Sequence, residues 1–163
     1  MKIKSMLLWS FVLALILSFF LIRHYRKISA PEIPVLISSD GKVLDASELK
    51  GKVFIISYFQ TWCKDCIKEQ PQLVQLIKHF GKDKLRILMV SDEPEEKIKR
   101  FTEIYGVELE YFHTNEALKS DLGVKAFPTT VLYGKDAQVS IKKVEGINWY
   151  TPEIIENIEK LLK

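Results

Sequence analysis

The chain has 163 residues, of which 47% are hydrophobic and 28% are charged, and its formal net charge is +3. This length and composition suit one globular domain with or without a short appendage, and they exclude a disordered chain. Every charged residue before Glu32 is basic, which leaves 19 basic and 21 acidic residues in the rest of the chain. So neutral a body excludes a nucleic-acid-binding surface, because such a surface needs concentrated basic charge.

An uncharged stretch from Met6 to Ile22 lies between basic residues on both sides. As a helix it would be roughly 25 Å long, close to the ~30 Å hydrocarbon core of a bilayer, and flanking basic side chains can extend to the headgroups. A buried globular helix would normally show a polar face, which this stretch lacks. A cleaved signal peptide is the stronger alternative, but the apolar run is long for one and basic residues follow it directly. We predict an uncleaved N-terminal transmembrane helix with basic flanks over residues 1–27.

Two prolines, Pro31 and Pro34, indicate a short extended linker over residues 28–34. The folded domain is then predicted over residues 35–163. Basic residues on both sides of the anchor leave its orientation undecided by the positive-inside rule.

The folded domain begins with the turn pair Asp40–Gly41 between two short apolar runs, which predicts a β-hairpin. One helical turn ending at Gly51 comes next. The β-branched and aromatic residues of Val53–Phe59 predict a central strand buried on both faces. From Lys64 to Phe80 the apolar residues follow a helical spacing, and Gly81 ends this helix.

The remaining elements are predicted from apolar runs, caps and turn residues. In chain order they are a strand over Leu85–Ser91, a helix over 94–106, a short strand over 109–113, a small helix over 115–123, an antiparallel pair over 129–134 and 139–146 with a turn at Lys135–Asp136, and a last helix capped by Thr151. This order predicts a mixed α/β sheet with helices on both faces.

The two cysteines of the chain, Cys63 and Cys66, lie where the central strand passes into a helix. A Cys63 thiolate would face the unpaired N–H groups and the positive dipole of that helix, which lower the pKa of a thiol. Cys66, one turn on and deeper, could then attack the mixed disulfide that Cys63 forms with a partner. A structural disulfide across so short a loop would add little stability, and zinc would need two further ligands that no paired histidines offer. We predict a redox-active cysteine pair and no metal.

Three neighbouring side chains have two readings each. Trp62 could shield the dithiol or simply pack. Glu69 lies three residues after Cys66 on the same helical face, where it could accept a proton from the buried thiol or remain a solvated helix residue. Pro128 precedes a strand, a position compatible with either peptide isomer.

Three features of the sequence occur together: "GKVFIISYFQTWCKDC", Glu69 and Pro71 soon after it, and "FPTTVL" further along the chain. With these features the chain resembles the thioredoxin superfamily, specifically the membrane-anchored bacterial thiol-disulfide oxidoreductases of the TlpA and ResA type. The resemblance implies a thioredoxin-like mixed sheet with flanking helices and a redox-active Cys63–Cys66 disulfide that needs no cofactor. It also implies a cis peptide between Phe127 and Pro128, which together with Trp62 would bind the substrate chain.

Two departures from the family pattern affect the expected chemistry. Thioredoxins have a buried Asp where this chain has Ser57, and the anchored relatives often have Asn, so proton handling passes to Glu69 or to water. Lys64–Asp65 replaces the Gly-Pro pair of cytoplasmic thioredoxins, so their redox potential does not carry over.

The family places its catalytic domain outside the cytoplasmic membrane, and we adopt that orientation. The implied partners are protein dithiols and disulfides as substrates, with a membrane thiol carrier as the electron source and cytochrome c maturation as the client pathway.

A thiol peroxidase would need a peroxide-binding Thr and Arg, which we do not find near the thiols. Copper delivery and redox sensing by the same cysteine pair remain open as binding functions.

Overall fold

A computed structural model of the chain describes Leu13, Leu17, Ser18 and residues 33–163 except Val107 and Ile147, with only the backbone given for Ala46. Apart from those first three residues, the anchor predicted over 1–27 lies outside the described residues, as does most of the linker over 28–34. In the part of the chain that the structure describes, no helix is both long and apolar enough to cross a membrane.

The described residues form one seven-stranded sheet with three α-helices and a short 3₁₀ helix. Along the chain the elements are β1 (Leu36–Ser38), β2 (Val43–Leu44), the 3₁₀ helix (Ala46–Leu49), β3 (Val53–Tyr58), α1 (Lys64–Phe80), β4 (Leu85–Ser91), α2 (Glu95–Tyr105), β5 (Glu110–His113), β6 (Thr129–Tyr133), β7 (Val139–Val144) and α3 (Pro152–Leu162). The strand order is β2-β1-β5-β4-β3-β6-β7. Strands β3, β4 and β5 are parallel to one another, and every other pairing is antiparallel.

Strand β3 is the central strand that its sequence predicts. All six of its residues are buried, because it pairs with β4 on one side and with β6 on the other. Successive side chains of a strand point to opposite faces, and accordingly Ile55 belongs to one apolar cluster whereas Phe54 and Ile56 belong to another. The sheet therefore separates two cores.

All three α-helices pack on one face of the sheet. Leu73 of α1, Ile98 of α2 and Ile154 of α3 share a cluster with Ile55. The chain moves through β3, β4 and β5 in one direction across the sheet, and right-handed crossovers in a constant direction place their helices on the same side. In the described residues no α-helix packs on the other face, so the expectation of helices on both faces holds there only for the 3₁₀ helix. The 3₁₀ helix and residues of the 114–127 loop cover the other face, contributing Leu49, Leu118, Leu122 and Val124.

The small helix predicted over 115–123 is wrong, since these residues form turns and bends. Within 115–123 one N–H group, that of Asp121, bonds to the carbonyl four residues before it, that of Ala117, at 2.9 Å, which is too little for a helix. Asp92 accepts from Leu118 N–H at 2.9 Å and Asp121 accepts from Ala117 N–H at 3.0 Å, so side-chain acceptors hold the turns in place. The buried leucines of the segment still contribute to the core, so the apolar pattern is met without a helix.

Other predicted elements are confirmed. The hairpin turns at Asp40–Gly41 and pairs Leu36 with Leu44. Helix α1 has the predicted bounds and ends at Gly81, whose φ of +86° suits a residue without a side chain. At the last helix, the Thr151 hydroxyl accepts the Ile154 N–H at 3.4 Å, as an N-cap does.

Asp92 joins the loop layer to the segment before the cysteines. Its second carboxylate oxygen accepts from the Gln60 side-chain amide at 2.5 Å. We expect Asp92→Ala to lower the free energy of unfolding by about 1–3 kcal/mol, because two buried or half-buried donors lose their acceptor. Amide hydrogen exchange should become faster at Leu118, whereas Asp83→Ala, in the exposed turn after α1, should leave that amide protected. Equal protection of Leu118 in both variants would contradict this prediction.

Candidate redox site

The two cysteines lie at the start of α1, at the end of the loop that follows β3. Cys63 is the N-cap residue of the helix, and its sulfur accepts the Cys66 N–H at 3.1 Å. The cysteines form a disulfide, with Cys63 6% exposed and Cys66 fully buried. In the reduced protein, the same N–H group and the helix dipole would stabilise a Cys63 thiolate. The structure thus places the more accessible sulfur where the sequence predicts the attacking thiol.

Two acidic residues at the end of β4 hold the loop that carries Trp62 and Cys63. Glu93 accepts from Thr61 N–H at 2.5 Å and from the Thr61 hydroxyl at 3.0 Å, and Asp92 holds Gln60. Sequence reasoning missed both acids. A signal was present, because β3 and β4 are parallel and the residues that follow them meet at one edge of the sheet.

Glu69 is buried beneath the cysteines, with only 2% of its surface exposed. Its Oε2 accepts from the hydroxyls of Ser57 at 3.1 Å and Thr130 at 3.0 Å, and its Oε1 accepts from the indole N–H of Trp149 at 2.5 Å. Burial raises the pKa of Glu69 to about 7, while the three hydrogen bonds act in the opposite direction. Glu69 is therefore not a solvated helix residue, and it can gain or lose a proton near neutral pH.

None of the three hydrogen bonds to Glu69 was predicted from the sequence. Thr130 lies opposite Ser57 where β3 pairs with β6. Its position near Glu69 could therefore be inferred only after the register of these two strands was known. Trp149 lies 80 residues from Glu69, and no local pattern connects them. Ser57 was expected to leave proton handling to Glu69 or to water, and in the structure its hydroxyl donates to the Glu69 carboxyl at 3.1 Å.

An aromatic pair, the exposed Trp62 and the partly buried Phe127, lies beside the dithiol. Trp62 is 66% exposed, and its ring meets that of Phe127 edge to face with centroids 6.2 Å apart. The Phe127–Pro128 peptide is cis, as the resemblance implies. Phe127 also packs against the cluster that contains both cysteines, and the ammonium of Lys119 lies 5.7 Å from its ring centre.

The structure therefore brings the predicted site residues together in two layers, one near the surface and one buried beneath it. Trp62, Phe127 and Cys63 lie in the outer layer, whereas Cys66 and Glu69 are buried in the inner one. Within the described residues, no group of three or more His, Cys, Asp or Glu side chains is placed to hold a metal ion.

The site combines a cysteine pair at the start of a helix with a cis-proline before strand β6 of a mixed sheet. This combination defines the class of thioredoxin-like protein-disulfide oxidoreductases. Sequence comparison gives the family. The chain matches the AhpC/TSA family model over residues 27–142 and belongs to that family.

Two similar proteins are named thiol-disulfide oxidoreductases. The chain is 30% identical over 131 residues to the thiol-disulfide oxidoreductase ResA of Bacillus subtilis, covering 79% of this chain and 72% of the relative. It is 29% identical over 150 residues to ResA of Bacillus anthracis, covering 83% and 86%.

Solved structures show the same fold. The thioredoxin domain of a thiol-disulfide oxidoreductase from Bacteroides vulgatus aligns with a TM-score of 0.68 at 20% identity, covering 83% of this chain and 96% of that one. A thiol:disulfide interchange protein of the thioredoxin family from Chlorobium tepidum aligns with a TM-score of 0.64 at 21% identity, covering 83% and 99%.

The burial of Glu69 makes folding stability depend on pH. Its pKa rises from an ordinary 4.5 to about 7 in the folded protein, so the folded state holds this proton more tightly than the unfolded chain. The stabilising contribution is complete below about pH 4.5 and is lost as the pH rises towards about 7. For the oxidised protein, urea unfolding should show a loss of up to about 3 kcal/mol over this range relative to Glu69→Gln. Parallel stability curves for the two proteins would contradict the prediction.

Proposed function

We propose that the protein is a membrane-anchored protein-disulfide reductase whose catalytic domain acts outside the cytoplasmic membrane. The observation that carries the proposal is the two-layer site, with an accessible sulfur at a helix N-terminus and a buried sulfur one turn from a protonatable carboxyl. The relatives named thiol-disulfide oxidoreductase support the reaction class.

The first step is attack by Cys63. The thiolate of the reduced protein displaces one sulfur of a client disulfide, so a Cys63–client disulfide forms and one client thiolate leaves. The N–H of Cys66, which lies 3.1 Å from the Cys63 sulfur, stabilises the attacking anion. The Trp62 and Phe127 rings, with the cis Phe127–Pro128 peptide, orient the client segment above it.

The second step is attack by Cys66. Its thiol gives a proton to the Glu69 carboxylate, and the resulting thiolate attacks the Cys63 sulfur of the mixed disulfide. The Cys63–Cys66 disulfide forms, the second client sulfur leaves as a thiolate and takes up a proton, and two electrons have passed to the client. Desolvation makes Glu69 basic enough for this transfer, because a solvated carboxylate near its usual pKa would be a weaker acceptor.

Each cycle leaves the domain oxidised, so a source of two electrons must reduce it again. The resemblance assigns this role to a membrane thiol carrier, and an anchor over residues 1–27 would hold the domain near it. Cytochrome c maturation is the client pathway that the resemblance implies.

Substitution of each cysteine separates the two steps. We expect Cys63→Ser to abolish reduction of an insulin-type disulfide, because the attacking sulfur is gone. Cys66→Ser should still attack but should accumulate mixed disulfides, detected by mass spectrometry without reductant. Activity retained by Cys63→Ser would contradict the assignment.

Turnover and metal titration test the binding alternatives. A redox sensor would exchange once and stop, whereas a reductase supplied with dithiothreitol turns over many times. A copper-delivery protein would bind Cu(I) stoichiometrically through the reduced pair, and Cys66→Ser would lose that binding. Single turnover or tight Cu(I) binding would favour those functions over the reductase.

The exposed Trp62 ring should matter for protein clients more than for small disulfides. We expect Trp62→Ala to lower kcat/KM for a protein disulfide roughly 5- to 30-fold, the loss typical of a contact worth about 1–2 kcal/mol. Reduction of a small aromatic disulfide reagent should change far less. Tyr105→Ala removes another exposed ring and serves as the matched control, and an equal loss in both variants would contradict a specific client surface.

A further inference from the structure

Trp149 contacts the redox helix at two consecutive turns. Its indole N–H donates to Glu69 Oε1 at 2.5 Å, and its backbone N–H donates to the Gln72 side-chain oxygen at 2.7 Å. The residue belongs to the loop between β7 and α3 and is fully buried. Two hydrogen bonds to one helix fix the position of the ring, so the indole N–H is held on the carboxyl group.

The indole differs from the other two partners of Glu69 in what it can do. The hydroxyls of Ser57 and Thr130 can rotate, and each can donate or accept a hydrogen bond, so they adapt to either form of the carboxyl group. An indole N–H can only donate. A donor favours the ionised form, and Trp149 is therefore the one of the three partners that cannot change to accepting a hydrogen bond when Glu69 is protonated.

Few other groups near Glu69 can influence its pKa. The elements packed around it contribute Ser57 from β3, Thr130 from β6 and Trp149 from the loop before α3. On its own helix, Cys66 is the titratable side chain one turn away, while Asp65 and Lys68 pair with each other at the surface. Among the described residues, no cationic side chain forms a salt bridge with Glu69, so neutral donors alone stabilise its anion.

We infer that Trp149 is a positioning residue for the exchange reaction: its indole N–H favours the ionised form of Glu69 and holds the carboxylate in place to take the proton of Cys66. The inference rests on the proposed role of Glu69 and extends it to a residue outside both the dithiol and the client surface.

The consequence can be measured as a shift in titration. Loss of a hydrogen bond to a buried charged group should raise the pKa of Glu69 by about one unit or more. At neutral pH a larger fraction of Glu69 would then be protonated, and the second step of the exchange would need a more alkaline solution to reach the same rate.

The test compares the full chain with its Trp149→Phe variant in detergent micelles. The Glu69 side-chain carboxyl carbon is followed by NMR against pH in the oxidised protein, where neither cysteine titrates. We expect the midpoint to rise by about one unit in Trp149→Phe. An unchanged midpoint in a folded variant would overturn the inference.

A second measurement needs no substitution at Trp149. The chain has three Trp residues, so the indole ¹⁵N–¹H signals are few and can be assigned one by one. The Trp149 signal should titrate with the same midpoint as the Glu69 carboxyl and should stop titrating in Glu69→Gln. A Trp149 signal that is constant through neutral pH, or that titrates equally in Glu69→Gln, contradicts the proposed contact.

Two controls separate ionisation from general loss of packing. Phe112→Leu reduces a buried aromatic side chain in the opposite core and should lower stability without moving the Glu69 midpoint. In a Glu69→Gln background, Trp149→Phe should leave the pH profile of exchange unchanged. If Trp149→Phe moves the Glu69 midpoint but not that profile, the Trp149 contact is supported and the proton-acceptor role proposed for Glu69 is contradicted.

Discussion

The junction between β3 and α1 is the constraint on which the rest of the site depends. A strand buried on both faces ends in the interior, and the helix that follows must begin there, with its unpaired N–H groups at the edge of the sheet. Cys63 caps that helix and Cys66 supplies the N–H it accepts. The electrostatics of the reactive sulfur thus follow from the packing of the strand. Neighbouring acids then hold the preceding loop so that the cap position is kept.

A buried carboxyl group adds a second constraint to this junction. Placing Glu69 inside the protein costs free energy, and the hydrogen bonds from Ser57, Thr130 and Trp149 offset part of that cost. These donors come from two strands and a loop that converge only in the folded chain. The site is therefore assembled by the whole sheet, although both cysteines belong to one short motif.

Local sequence patterns were enough to predict most helices and strands and the cysteine motif, because strand burial, helix caps and turns are encoded within a few residues. The bounds of α1 and the N-cap at Thr151 are examples. Long-range contacts were not readable: Trp149 reaches Glu69 across 80 residues. The 115–123 segment has the composition of a helix, but it forms turns that are held by Asp92, which comes from another part of the chain.

The asymmetry of the sheet has a consequence for how variation in this protein should be interpreted. One face carries three helices, whereas irregular chain covers the other, and the Asp92 carboxylate ties that irregular chain to Gln60, just before the cysteines. A residue exchanged in the irregular layer can therefore displace the chain that presents the reactive sulfur. The geometry around the sulfur atoms thus depends on residues that touch neither of them.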